Sequence, residues 1–177
     1  MVNIVGISGS LRKDSSNTAV LKAISKVAGK GVEMNIYEDL GTIPHFDPTI
    51  AVEDSPDAVK NLRTLLKEAN AVIICTPEYA FGVPGVLKNA LDWLVSSGEM
   101  NEKPVGIISA SPLHRGGNHA HASLVLTLTA LGTKMSEHAK LMIGNVYNKM
   151  NDKKEVVDEE TVKELRSLVH SLTDGLV

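Results

Sequence analysis

The chain has 177 residues, a formal net charge of −3 and one cysteine. That length suits one domain, taken here as residues 1–177, able to bury a full core; the small charge, with no long run of one sign, argues against a nucleic-acid or other polyanion-binding protein. Cys75 sits in an apolar run and has no second thiol to pair with, the start shows no charged leader region and no apolar stretch is long enough to cross a bilayer, so the expectation is a soluble cytoplasmic protein with no membrane partner.

Taken in order, Val2 to Ile7 is an apolar run of the residue types that favour a buried strand. Residues 6–18 read GISGSLRKDSSNT, and Val20, Leu21, Ile24 and Val27 then recur at helical spacing. A strand, a polar loop and a helix together present free backbone N–H groups to an anion. Ser10, Ser15, Ser16 and Thr18 add hydroxyls, Asn17 an amide and Arg12 a fixed cation, an inventory suited to a phosphate monoester. The loop has no GxxxxGK[ST] and no GxGxxG, and its GxSxS falls short of a nucleophile elbow. The plainer alternative is that Ser and Asn only cap the helix.

Residues 32–37 read as a second strand after a Gly-Lys-Gly break. Residues 38–56 form a long loop with three prolines, and Ser55-Pro56-Asp57 predicts a helix start with Ser55 as N-cap. Leu62, Leu65, Leu66 and Ala69 give that helix its inner stripe. AVIICT at 71–76 is apolar on both faces, as a central parallel strand should be. It ends in TPEYAFGVPG, and a helix follows over 86–95 with Lys88 and Asp92 spaced to pair. Further strands are expected at 104–110 and 140–143, a helix at about 120–131 and a terminal helix from Asp158, which carries Val162, Leu165, Leu168, Val169 and Leu172. His119 and His121 do not share a helix face, so no metal site is expected there.

Five strand–helix units predict an α/β three-layer sandwich with a parallel sheet, whose ligand lies beyond the C-terminal strand ends. Three unusual loops leave those ends: residues 9–18, 77–82 and 111–117. Pro77, Tyr79 and Phe81 offer flat or apolar surface to a planar ring in a chain that is only 3% aromatic. A phosphate at one end and a ring at the other point to flavin mononucleotide, FMN.

GSLRKDSSNT at 9–18 and PEYAFGVPGVLKNALDWL at 77–94 resemble the NADPH-dependent FMN reductase family, which includes flavin, quinone, azo-dye and chromate reductases. The resemblance implies a flavodoxin-like fold with five parallel strands in the order 2-1-3-4-5. It implies that Ser10, Arg12, Ser16, Asn17 and Thr18 hold the FMN phosphate, that Pro77, Glu78, Tyr79, Ala80 and Phe81 line the ring and ribityl part, and that the loop from Ser111 to Gly116 and Gly117 closes over the other face. It further implies NADPH or NADH as co-substrate, a small-molecule electron acceptor, and a homodimer or homotetramer with the helix after the second loop in the interface. The flavin carries the chemistry, so no catalytic side chain is expected. Backbone N–H groups of Gly116 and Gly117 are expected to face the charge that grows on the reduced ring, and Arg115 or His114 to meet a 2′-phosphate. Many members carry Asn where this chain has Ala80. The alternative function is an FMN-binding electron carrier that does not itself oxidise NAD(P)H; a third is a flavin-free module.

Overall fold

The computed structural model describes residues 1–174; positions 175–177, counted in the domain from sequence, lie outside the described residues. Five strands, β1 (Val2–Ser8), β2 (Val32–Tyr37), β3 (Ala71–Thr76), β4 (Val105–Ala110) and β5 (Lys140–Ile143), form one sheet. All neighbours pair in parallel in the order β2-β1-β3-β4-β5. The helices are α1 (Ser16–Val27), α2 (Asp57–Glu68), α3 (Gly85–Asp92), α4 (Asn118–Ala130) and α5 (Glu159–Thr173). The expected fold class is therefore the observed one.

Alternation along the central strands builds two cores. Val72 and Ile74 of β3 and Val105 and Ile107 of β4 face a layer of α2, α3 and α4, reached through Leu62, Leu66, Leu87, Leu91, Leu124 and Leu128. Ile73, Cys75, Ile108 and Ala110 face α1 and α5 through Leu21, Ile24, Leu165 and Leu168. Each fully buried Leu or Ile contributes roughly 1.5–3 kcal/mol by leaving water. Cys75 behaves as one of these apolar fillers: it is fully buried, and burial pushes its thiol well above the ordinary value.

The long loop before α2 folds back over α3. Asn89 donates to the carbonyls of Ile43 (3.3 Å) and Pro44 (2.9 Å), and Trp93 Nε1 donates to Pro44 at 2.9 Å. Phe46 meets the Trp93 ring edge-on at 5.2 Å, so Trp93 is a packing residue. Arg63 clasps the loop's far end. Its guanidinium donates to the Val52 carbonyl (3.1 Å), the Ser55 hydroxyl (2.7 Å) and the Trp93 carbonyl at the C-terminus of α3 (2.6 Å). This corrects the expected Ser55 cap. Pro56 is the residue before α2, and the Ser55 hydroxyl donates back to Val52 at 2.8 Å while accepting from Arg63. Lys88 and Asp92 do pair, at 2.6 Å.

Candidate functional site

The sheet order reverses between β1 and β3, and there the loops after β1, β3 and β4 border one crevice of about 180 Å³. Ligands of α/β sheets lie at such switch points. Among the predicted residues, Ser10, Arg12, Ser16, Asn17, Pro77, Glu78, Tyr79 and Ser111 line it. The first loop is seated by Gly9, whose N–H donates to the Cys75 carbonyl at 2.8 Å. A side chain there would press on Leu87 and on Thr76 Oγ1, each at 3.0 Å, so glycine lets the first loop lie against the second without displacing either.

Helix α1 opens into the crevice. Ser15 is its N-cap, accepting from the Asn17 N–H at 3.2 Å. The N–H groups of Ser16 and Thr18 meet no acceptor among the described residues, which leaves a positive helix end facing the cleft. The hydroxyl of Ser10 accepts the Arg12 N–H at 3.3 Å and keeps its own proton to donate. Arg12 is exposed at the rim and is the cation lining the crevice.

Two of the expected phosphate ligands, Asn17 and Thr18, also make contacts within the fold. Asn17 is 2% exposed, and its Oδ1 accepts from the Cys75 thiol at 3.3 Å while its amide faces the Ala110 carbonyl at 3.5 Å. It ties α1 to the ends of β3 and β4. The Thr18 hydroxyl donates to Ser8 Oγ at 2.9 Å and lies outside the crevice lining. Only the Thr18 backbone N–H remains for an anion.

The second loop is a two-residue hairpin. Tyr79 and Gly82 exchange both backbone bonds, at 3.1 and 3.0 Å, around Ala80 (φ 48°) and Phe81 (φ 60°). Such a turn needs positive φ at both central positions and favours Asn-Gly. Ala80 and Phe81 are therefore both strained, and neither lines the crevice; Phe81 is 77% exposed and meets the His119 ring edge-on at 5.1 Å. Replacing Ala80 with glycine is expected to raise stability by about 1 kcal/mol, the cost of a left-handed L-residue; a thermal melt showing no gain would count against strain at this turn. Glu78 anchors the loop. Its carboxylate accepts from the N–H groups of His119 (2.8 Å) and Ala120 (2.9 Å), at the positive end of α4. The carboxylate is thus a fastener between two loops rather than a free group over a ring.

The third loop is laced to the strand beside it. Ser111 donates to the Ile143 carbonyl at 3.0 Å, Val146 donates to the Ser111 carbonyl at 3.0 Å, and Asn145 donates to Leu113 at 3.2 Å. The expected role of Gly116 fails here: its N–H donates to the Leu113 carbonyl at 3.1 Å, and its α-carbon packs against Ile143 and Gly144. Gly117, at φ 77°, starts α4 and packs over Glu78; its N–H has no acceptor among the described residues. Behind it His121 Nδ1 lies 3.3 Å from the Ser109 hydroxyl. Burial first, and Lys140 second, lower its pKa, so this ring is neutral and supplies no charge to the crevice. His114 and Arg115 are exposed and do not line the crevice. Among the described residues no cluster of three metal-ligating side chains occurs.

Pro112 and Leu113, inside the expected third loop, line the crevice; sequence reasoning missed Ala110 and Tyr147 as lining residues. Tyr147 follows β5, and the rule that ligand loops leave C-terminal strand ends applies to β5 as much as to β1, β3 and β4. The donor set fits FMN. A helix end, serine hydroxyls and an arginine gather at one end, while Pro77 and Tyr79 give a flat lip at the other.

Fold and crevice together define a flavodoxin-like, mononucleotide-binding protein. The sequence pattern of the family described as NADPH-dependent FMN reductase matches residues 2–148, and the chain belongs to that family. It is similar to a quinone reductase of Escherichia coli K12, 33% identical over 93% of this chain and 89% of the relative. An NAD(P)H-dependent FMN reductase of Pseudomonas aeruginosa is 29% identical over 97% of this chain and 93% of its own length. The solved structure of FerB, a flavoenzyme NAD(P)H:(acceptor) oxidoreductase from Paracoccus denitrificans, superposes with a TM-score of 0.87 at 30% identity. That superposition covers 98% of this chain and 96% of FerB.

Proposed function

We propose that this protein is an FMN-holding oxidoreductase that takes hydride from NAD(P)H and passes electrons to a small-molecule acceptor of the quinone, flavin, azo or metal-oxyanion type. The observation that carries it is one crevice with phosphate donors at its α1 end and a flat Pro77–Tyr79 lip at its other end. FMN, when bound, supplies the redox chemistry. The hydroxyls of Ser10 and Ser16, the N–H groups of Ser16 and Thr18, and the Arg12 guanidinium hold the phosphate. Pro77 and Tyr79 orient the ring, and Glu78 fixes their loop to α4. The open N–H of Gly117, which packs against Glu78 at the crevice, would offer positive potential to the ring system and favour its reduced, more negative form. No side chain is assigned a nucleophilic or general-acid role.

The reading includes a homodimer or homotetramer. It is supported by the partly exposed apolar side chains Phe46, Ile50, Val52 and Val95, which lie on the folded-back loop and just past the end of α3. It also includes a cytoplasmic location, where NAD(P)H is available; no helix among the described residues is long and apolar enough to cross a membrane.

The test is purification followed by an acceptor panel. The expected result is a yellow protein, more than one chain in mass by light scattering, that oxidises NADPH or NADH with a quinone or ferricyanide in a ping-pong pattern. A colourless protein that gains no stability from added FMN would overturn the reading. A yellow protein inert toward both nicotinamides would replace it with the electron carrier.

A further inference from the structure

Five lysines that take no part in the nucleotide crevice gather around a space of their own. A groove of about 300 Å³ runs between the outer side of α1 and residues 153–156. Lys13, Lys22, Lys26, Lys153 and Lys154 line it against only two carboxylates, Asp14 and Glu155. Its charge is therefore opposite in sign to that of the chain as a whole. Both carboxylates are engaged: Glu155 with Lys26 at 2.7 Å and Asp14 with Lys154 at 3.3 Å. Lys13, Lys22 and Lys153 have no acidic partner among the described residues. Like charges around one small space build a positive potential there, and a bound anion relieves it.

The two walls are tied at points far apart along α1. Asp14 precedes the helix and Lys26 lies in its last turn, with about 16 Å of helix from Ser15 to Lys26. Lys154 and Glu155 are neighbours in the chain, yet one reaches Asp14 and the other Lys26. The pairs splay apart, and the space between them lies over Ala19, Lys22 and Ala23. Small side chains at 19 and 23, one turn apart on the same face, keep that space open. The far wall is held in shape. Asn151 Oδ1 accepts from the N–H groups of Lys153 (3.0 Å) and Glu155 (2.9 Å), and its amide donates to the Glu155 carboxylate at 3.1 Å. Lys149 Nζ donates to Asp158 (3.3 Å) and to Thr161 Oγ1 (2.9 Å), which fixes the base of the segment to α5. Lys154 sits at φ 58°, a conformation that long side chains rarely adopt and that persists where the surroundings impose it.

The lining selects among anions. The space is that of a small-ligand cleft, not of a flat basic surface. Asp14 and Glu155 repel a continuous polyanion passing over either end. No aromatic side chain lines the groove, so a nucleoside base would find no ring to stack on. Lysine ammoniums hold phosphate groups as point charges and need no fixed fork geometry. What remains is a compact free anion with two or more charges. Pro77, Glu78 and Tyr79 lie outside the groove, so its occupant takes no part in hydride transfer.

We propose that the groove between α1 and residues 153–156 is an independent binding site for a compact multivalent oxyanion of the pyrophosphate type. Lys22 on one wall and Lys153 on the other, neither of them paired, are its principal ligands. The bound anion bridges the two walls and adds to the hold of the two ion pairs. The site goes beyond the function proposed above and does not rest on it, because none of these residues is assigned to the flavin or to a nicotinamide.

The test is calorimetric titration of the purified protein, with FMN in excess to fill the crevice, using inorganic pyrophosphate in magnesium-free buffer at physiological ionic strength. One pyrophosphate per chain is expected to bind and to raise the melting temperature. The double variant Lys22→Gln, Lys153→Gln should lose about tenfold in affinity, the scale of two partly screened charged contacts. The control variant Lys60→Gln, Lys67→Gln removes the same charge from exposed positions on α2 and should bind like the parent. Arg12→Ala should also bind pyrophosphate like the parent. No binding at that ionic strength overturns the proposal. So does binding that the α2 control weakens as much as the groove variant, which would make it a response to net charge. Binding that Arg12→Ala abolishes overturns it in favour of the crevice, and ADP binding more tightly than pyrophosphate overturns the free anion in favour of a nucleotide. The titration needs no turnover, so a protein inactive with both nicotinamides would sink the proposed function and leave the judgement on the groove intact.

Discussion

Replacing Gly144 with alanine is expected to destabilise the protein by about 2 kcal/mol and to loosen FMN by tenfold or more, the scale of an overpacked core site. The added methyl would overlap the His114 carbonyl oxygen and lie 2.9 Å from its carbon. Both are backbone atoms, so no side chain can swing aside. The loop over 111–117 would have to lift from β5, breaking the bonds from Asn145 to Leu113 and from Val146 to Ser111. Ser111, Pro112 and Leu113, which line the crevice, would move with it. Thermal unfolding and an FMN titration check this. A variant that melts and binds like the parent would show that the loop is not held from beneath.

Arg12→Ala is expected to weaken FMN binding by about 1.5 kcal/mol, roughly tenfold, with little effect on the melting temperature of the FMN-free protein. The value is taken from the low end for charged hydrogen bonds because Arg12 is exposed and water screens it. Its side chain braces nothing in the fold, so affinity and stability should separate, unlike at Gly144. An FMN affinity that does not change would remove Arg12 from the phosphate site. Arg12→Lys should restore only part of the loss, since an ammonium cannot make the paired contact of a guanidinium.

The strands were readable because their composition leaves few options. Residues 71–75 are apolar at every position, a short run rich in β-branched residues that suits a strand covered on both faces, and the observed bounds, 71–76, are the expected ones. The site was readable as a set of loops but not residue by residue. Asn17 looked like a ligand because of its type, yet 17, 20, 21 and 24 form a single helical stripe, and Val20, Leu21 and Ile24 are buried. Spacing therefore pointed its side chain inward, and this was the available signal that it also ties α1 to β3 and β4. Ser55 looked like a cap because the local sequence favoured one. Arg63, eight residues on, takes that hydroxyl, a contact no local pattern announces. Gly116 read as a residue permitting close approach to a ligand; the approach is real, but to Ile143 and Gly144.

The Arg63 clasp has a consequence for how the protein meets changing conditions. All three of its acceptors are neutral oxygens: two carbonyls and a hydroxyl. A guanidinium keeps its charge across the physiological range. A clasp closed by a carboxylate would slacken on acidification and in brine. This one has no partner to protonate, so the flap behind the nucleotide shelf should stay shut through acid stress that loosens the exposed ion pairs elsewhere on the surface.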